Sequence, residues 1–212
     1  MKSVGPQRNK LFELQNLVCS HGAKLVAITE TWLSASVMDG EILPASYVIH
    51  RKDRCETNPD RRGGGLLLAV DASIPSRRRP DLEPPCEILA CELTPSPSRK
   101  VAVVLCYRPP NSDRRAFVAN LDHALFNVGR EYSSIAVLGD FNLPDVDWRR
   151  PELARGCDAE FVHLITANGL TQINFIPSTI HMHVLDLIFT SHLDLIKNVF
   201  KIDDCFYSDH AV

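Results

Sequence analysis

Ile135-Ala136-Val137-Leu138-Gly139-Asp140-Phe141-Asn142 is a short apolar run that stops on a carboxylate and, two residues later, an amide. Ile135–Leu138 is too short for a helix and reads as a buried strand. Its polar end sets Asp140 at the strand's carboxyl end, where a rigid element holds a side chain that solvent still reaches. Such a carboxylate suits a metal ligand or a general base, and a turn former is the other reading. Asn142 presents its amide toward the same place.

The same grammar extends outward in both directions. Val101–Tyr107 is a second apolar strand, closed by Tyr107-Arg108-Pro109-Pro110, a corner that holds a phosphate or simply ends the strand. Cys86–Leu93 precedes it across Thr94–Lys100, a polar hairpin loop. Ser112-Asp113 caps a helix through Gly129, with Phe117, Leu121 and Leu125 at steps of four. Asp158–Asn168 is a further amphipathic helix, and Leu185–Thr190 a strand with Asp186 set inside it. A bare acid in so apolar a strand is costly, so Asp186 faces a partner, a site or a solvated side. Toward the start, Gly63-Gly64-Gly65 leads into the strand Leu66–Val70, and Leu25–Thr29 is a strand ending at Glu30. Asn9–His21 carries Leu11, Leu14, Leu17 and Val18 at helical spacing, with Gly22 as its cap. Strands and helices alternate irregularly, with hairpins mixed in. That pattern predicts a layered α/β fold with largely antiparallel sheets rather than a parallel barrel.

The chain has 212 residues, 45% hydrophobic and 23% charged, enough for one sizeable core and too apolar for disorder. Its net charge of -3 excludes a polycation, so any nucleic-acid binding rests on local patches such as Arg61-Arg62 and Arg77-Arg78-Arg79. A solvated loop explains those patches equally well. The longest apolar runs, Gly65–Val70 and Val101–Tyr107, are far below the ~18–20 residues of a membrane span. The opening residues do not read as a secretory leader, and a soluble intracellular protein is expected. Seven cysteines form no CxxC pair. Cys19, Cys86, Cys91 and Cys106 lie in apolar stretches, where a free thiol behaves as a small hydrophobe. His181 and His183 read as loop histidines before a metal pair. Ser208-Asp209-His210 sets an acid beside an imidazole, and a polar turn is the plainer account of it.

In order, Ile28-Thr29-Glu30-Thr31-Trp32-Leu33, Arg62-Gly63-Gly64-Gly65, Tyr107-Arg108-Pro109-Pro110, Gly139-Asp140-Phe141-Asn142, Leu185–Ser191 and Ser208-Asp209-His210 resemble the endonuclease/exonuclease/phosphatase superfamily. The likeness is to its apurinic/apyrimidinic-endonuclease-like branch, carried by non-LTR retrotransposons beside their reverse transcriptase. It implies a four-layered α/β sandwich with two mostly antiparallel sheets, and DNA nicking by divalent-metal phosphodiester hydrolysis with Mg²⁺ or Mn²⁺. Carried over by motif, Glu30 and Asp209 serve the metal. Asp140 and Asn142 orient the attacking water and the scissile phosphate, which Tyr107 contacts. Asp186 pairs with His210, which stabilises developing charge or assists proton transfer. From the basic patch and the strand-closing corner in which they lie, Arg62 and Arg108 are expected to contact nucleic acid. The partners implied are DNA and a reverse transcriptase domain on a parent polyprotein, with no membrane, and the compartment implied is the nucleus.

The family begins with a strand carrying an Asn and ends with a strand after Ser-Asp-His. Residues 1–212 are therefore expected to be a single domain, incomplete at both termini. Two rival readings follow: an inactive retrotransposon remnant that at most binds nucleic acid, and a phosphatase of the same superfamily. The stretch Val184-Leu185-Asp186-Leu187, where inositol-polyphosphate phosphatases show a Trp-Cys-Asp-Arg-like segment, argues against a lipid or inositol phosphate substrate.

Overall fold

The computed structural model describes residues 6–58, 63–178, 182–196 and 198–199. In chain order the elements are α1 (Pro6–His21), β1 (Leu25–Thr29), α2 (Asp39–Ile42), β2 (Tyr47–Lys52), α3 (Arg54–Thr57), β3 (Leu66–Asp71) and β4 (Ser76–Arg78). Then come β5 (Ile88–Ser96), β6 (Arg99–Tyr107), α4 (Arg114–Gly129), β7 (Ile135–Asp140), α5 (Gly156–Ala167), β8 (Thr171–Gln172) and β9 (Asp186–Thr190).

Side-chain alternation sorts these elements into layers. On β3, Leu66, Leu68 and Val70 face one way and pack with Leu89, Cys91, Val103, Leu105 and Tyr107 of β5 and β6. Its other face, Leu67 and Ala69, meets Leu14 and Val18 of α1 with Ile42 and Leu43. On β6 the alternate residues Ala102, Val104 and Cys106 turn away from β3. They join Phe117, Leu121 and Leu125 of α4 and Phe161, Leu164 and Ile165 of α5. Both sheets are thus buried on two faces, which explains why β3 and β6 read as unbroken apolar runs.

The outcome is helix, sheet, sheet, helix. The smaller sheet has the order β1-β3-β2 and the larger β4-β5-β6-β7-β9-β8. Among the described residues the only parallel neighbours are β6 and β7. The expected four-layered sandwich with mostly antiparallel sheets is the observed fold.

Several local expectations shift. The Thr94–Lys100 loop shrinks to a turn at Pro97-Ser98, because β5 and β6 continue to a Ser96–Arg99 pairing beyond an irregularity after Leu93. Pro95 is tolerated there because β4 ends opposite Leu93, leaving no neighbour to need its missing N–H. Asp186 opens β9 rather than lying inside it. Cys91 and Cys106 are buried as expected, and burial raises the Cys91 thiol pKa to about 12. Cys19, expected in apolar surroundings, is exposed on α1. Arg77, Arg78 and Arg79 are not a bare basic patch: each contacts carboxylates, Arg77 of Glu92, Arg78 of Glu56 and Glu83, and Arg79 of Asp81 and Glu131. Among the described residues no helix is long and apolar enough to cross a membrane.

Candidate active site

Pairing register draws the polar strand ends into one row. Tyr107, last in β6, stands opposite Asp140, last in β7, and Asp140 stands opposite Asp186, first in β9. Glu30 follows β1 in the other sheet and closes the gap between sheets, its Oε1 accepting a hydrogen bond from the Tyr107 hydroxyl. The row gathers five residues singled out in the sequence: Glu30, Tyr107, Asp140, Asn142 and Asp186. Arg62, Asp209 and His210 lie outside the described residues.

Each member is fixed by identifiable bonds. Asp140 is 4% exposed. One of its carboxylate oxygens accepts from the Asn142 backbone N–H at 3.0 Å, the other from Asn142 Nδ2 at 3.0 Å. The same Nδ2 reaches the Arg108 carbonyl at 2.8 Å, so one amide ties the carboxylate to the end of β6. Asn142 adopts a left-handed backbone (φ 49°), which Asn tolerates better than most residues. Gly139 has φ 139°, and a side chain there would overlap the Cys106 carbonyl of β6. Only glycine lets β7 run this close beside β6 on its way to Asp140. Asp186 is half-buried. Its backbone N–H donates to Ser178 Oγ at 2.8 Å, and its carbonyl accepts from Asn174 Nδ2 at 2.6 Å.

The Tyr107 hydroxyl sits where burial raises its pKa well above the ordinary value. The Glu30 bond, then the negative charges of Glu30, Asp140 and Glu87, push the same way. It is a neutral phenol at working pH. Behind it the Arg54 guanidinium lies 6.0 Å from the ring centre and donates to both oxygens of Glu87 at 2.9 and 2.8 Å. Glu87 also accepts from the Gly65 N–H at 2.6 Å, which anchors the glycine turn against β5. That turn in turn holds the Glu30 loop through Thr31 N–H to Gly65 O and Trp32 N–H to Gly64 O. Arg54 and Glu87 carry no sequence signal, since they are 33 positions apart in unremarkable contexts.

Arg108 differs from expectation. Rather than facing nucleic acid it is 1% exposed, with Nε donating to the Phe141 carbonyl at 2.7 Å and Nη2 to the Asn142 carbonyl. The segment after Asp140 is likewise structural, with Leu143, Val146 and Trp148 buried against Phe161 and Phe189. His183 is exposed and its Nδ1 lies 3.1 Å from the Pro144 carbonyl; His181 lies outside the described residues.

The donor set is all oxygen, and the Glu30 carboxylate is the solvent-facing member. Among the described residues no group of three or more His, Cys, Asp and Glu could hold an ion. Mg²⁺ commonly takes one or two carboxylates and fills its shell with water and substrate phosphate, so these residues fit a hard divalent cation.

Known proteins agree with the architecture. The endonuclease domain of TRAS1, a telomere-specific non-LTR retrotransposon, aligns with a TM-score of 0.73 at 17% identity, over 97% of this chain and 91% of that one. A 3'-5' exonuclease from Neisseria meningitidis gives 0.70 at 16% identity, over 95% and 92%. The Xenopus laevis APE2 catalytic domain gives 0.64 at 12% identity, over 97% and 86%. At these identities the likeness is one of fold. No curated protein matches the chain in sequence. The family profile described as endonuclease-reverse transcriptase matches residues 101–212, more than half of the sequence. The chain therefore belongs to the endonuclease-reverse transcriptase family, on the endonuclease/exonuclease/phosphatase fold.

Proposed function

We propose that residues 1–212 form a single divalent-metal-dependent endonuclease domain that nicks target DNA for a non-LTR retrotransposon, beside a reverse transcriptase domain of the same polyprotein. The observation that carries this reading is the row of Glu30, Tyr107, Asp140 and Asn142 at adjoining strand ends, bonded to one another across two sheets. The family description supports DNA as substrate and the reverse transcriptase as partner.

A phosphodiester is an anion attacked by a weak nucleophile, so bound Mg²⁺ or Mn²⁺ supplies charge neutralisation and a lowered pKa for water. Glu30 holds it, with Asp209 as the second carboxylate. The neutral Tyr107 hydroxyl gives its one O–H to Glu30 and, with substrate bound, turns it to a phosphate oxygen. Asp140, held by both Asn142 bonds, aligns the attacking water and accepts its proton. Asn142 keeps that carboxylate aimed, and it reaches the scissile phosphate by releasing the Nδ2 hydrogen bonded to the Arg108 carbonyl. His210, oriented by Asp186, stabilises charge on the far side, and Arg62 takes a neighbouring phosphate. The roles of Asp209 and His210 rest on the family resemblance alone, and that of Arg62 on the basic patch in the sequence.

The test is an end-labelled DNA duplex and p-nitrophenyl phosphate, each incubated with the chain and Mg²⁺. Internal cleavage of the duplex, lost in Tyr107→Phe and Glu30→Gln, is expected. Turnover of the small ester with an intact duplex would move the assignment to a phosphatase, and no turnover of either by folded protein would make it a remnant.

A further inference from the structure

Trp32 is 60% exposed, an unusual place for an indole two residues from the carboxylate at the heart of the site. It is not a loose side chain. Its Nε1 donates to Glu30 Oε2 at 3.2 Å, while the other oxygen of that carboxylate takes the Tyr107 hydroxyl. Its ring lies against Gly63, where an added Cβ would stand 3.1 Å from Cζ2 and 3.2 Å from Cε2. Its backbone N–H donates to the Gly64 carbonyl at 2.9 Å. Both Glu30 and Trp32 hold a left-handed backbone (φ 54° each), a conformation that costs free energy in non-glycine residues and persists only where the surroundings enforce it. The loop is therefore strained, pinned by these bonds and by Thr31 N–H to the Gly65 carbonyl, and arranged so that a rigid indole stays in water at the rim of the site.

We propose that Trp32 is a stacking platform for a nucleobase of the strand being cut. The inference rests on the endonuclease reading and adds a substrate-binding residue to it. Any ligand that brings a phosphodiester to Glu30, Tyr107 and Asp140 carries a base on each side of that phosphate. An indole tied to the same carboxylate is positioned to take one of them on its open face. Stacking on an aromatic is tolerant of base identity but needs a base free of its own stack. Trp32 therefore favours cleavage beside mismatched, single-stranded or easily unstacked steps, without reading sequence.

The chain has only two tryptophans, and Trp148 is 7% exposed in the core, so Trp148→Phe leaves Trp32 as the sole reporter. The probes are a dye-labelled single-stranded oligonucleotide and a duplex with one mismatch, in EDTA to prevent cleavage. Dye anisotropy reads binding while indole fluorescence reads stacking. Quenching of Trp32 in step with binding is expected, with Trp32→Ala weakening binding about 10- to 100-fold and Trp32→Phe within about 3-fold of the parent. Rising anisotropy with unmoved Trp32 fluorescence and undiminished binding by Trp32→Ala would overturn the stacking role and leave the endonuclease reading intact. No binding by folded protein would sink both. The quench needs no substitution at Trp32, so a poorly folding variant does not weaken the test.

Discussion

Replacing Arg108 by methionine separates two roles for a guanidinium next to the candidate site: a contact for nucleic acid, or a buried clamp on the loop that carries Asn142. The structure favours the clamp, and its size can be estimated. Methionine preserves most of the volume and leaves untouched the backbone bonds from Arg108 N–H to Asp140 O and from Asn142 Nδ2 to Arg108 O. What it removes are the bonds to the Phe141 and Asn142 carbonyls; the remaining contacts, to Pro109 O at 3.4 Å and Ser112 Oγ at 3.5 Å, are long. Each hydrogen bond to a charged group contributes about 1.5–3 kcal/mol, and burying the guanidinium works against that gain. The opposition is visible in the arginine itself, whose pKa burial lowers from its ordinary value. The net cost of Arg108→Met is then about 2–4 kcal/mol, and Arg108→Lys, which reaches one carbonyl instead of two, falls about halfway. Urea denaturation reads the first quantity. Because Asn142 keeps its left-handed turn partly through this grip, the turnover of Arg108→Met should drop about 10- to 100-fold while DNA affinity and its salt dependence stay put. Unchanged stability, with weaker binding and a salt slope reduced by about one, would refute the clamp and restore Arg108 to the DNA surface.

Three further outcomes follow from single residues. Gly139→Ala drives a methyl into the Cys106 carbonyl one pair before the end of the parallel β6–β7 ladder, so it should cost at least about 3 kcal/mol in denaturation, enough to lose soluble protein. Glu92 is held below the ordinary carboxylate pKa, chiefly by the Tyr132 hydroxyl at 2.5 Å, so its proton binds more weakly in the folded state. That stabilisation is complete above pH 4.5 and is lost as pH falls through the lowered pKa; the stability gap between parent and Tyr132→Phe should narrow as pH falls below 4.5, and a pH-independent gap would contradict it. Trp148 Nε1 is buried with no hydrogen-bond partner among the described residues, so Trp148→Phe exchanges lost packing for relief of an unpaired donor and should shift stability by less than about 1.5 kcal/mol.

Much of this architecture was legible because β3, β6 and β7 are buried on both faces, and unbroken apolar runs announce such strands. The ends of β6 and β7 announced Tyr107 and Asp140 for the same reason, since a polar residue that halts a core strand marks the strand's end; Glu30 was marked in the same way by the shorter, partly buried run of β1. β2 escaped notice because Tyr47-Val48-Ile49 runs into His50-Arg51-Lys52, which reads as a solvated turn. Yet Lys52 is buried, its ammonium donating to the Pro84 and Ile88 carbonyls beside Glu83. Arg108 was misread for a related reason. A guanidinium whose partners are backbone carbonyls leaves no complementary acid in the sequence to mark it as internal. Trp32 was visible as a letter in a motif, but its exposure depends on Gly63 and Glu30 folding beneath it.

The central claim is that the row headed by Glu30 and Asp140 cuts phosphodiesters in DNA. The direct measurement is relaxation of supercoiled plasmid by the purified chain in Mg²⁺ and in EDTA, with Asp140→Ala alongside and circular dichroism confirming that both proteins fold. Open circles should accumulate only with Mg²⁺, and the variant should nick at least about 100-fold more slowly. Equal nicking by folded Asp140→Ala, or none by the folded parent, would contradict it.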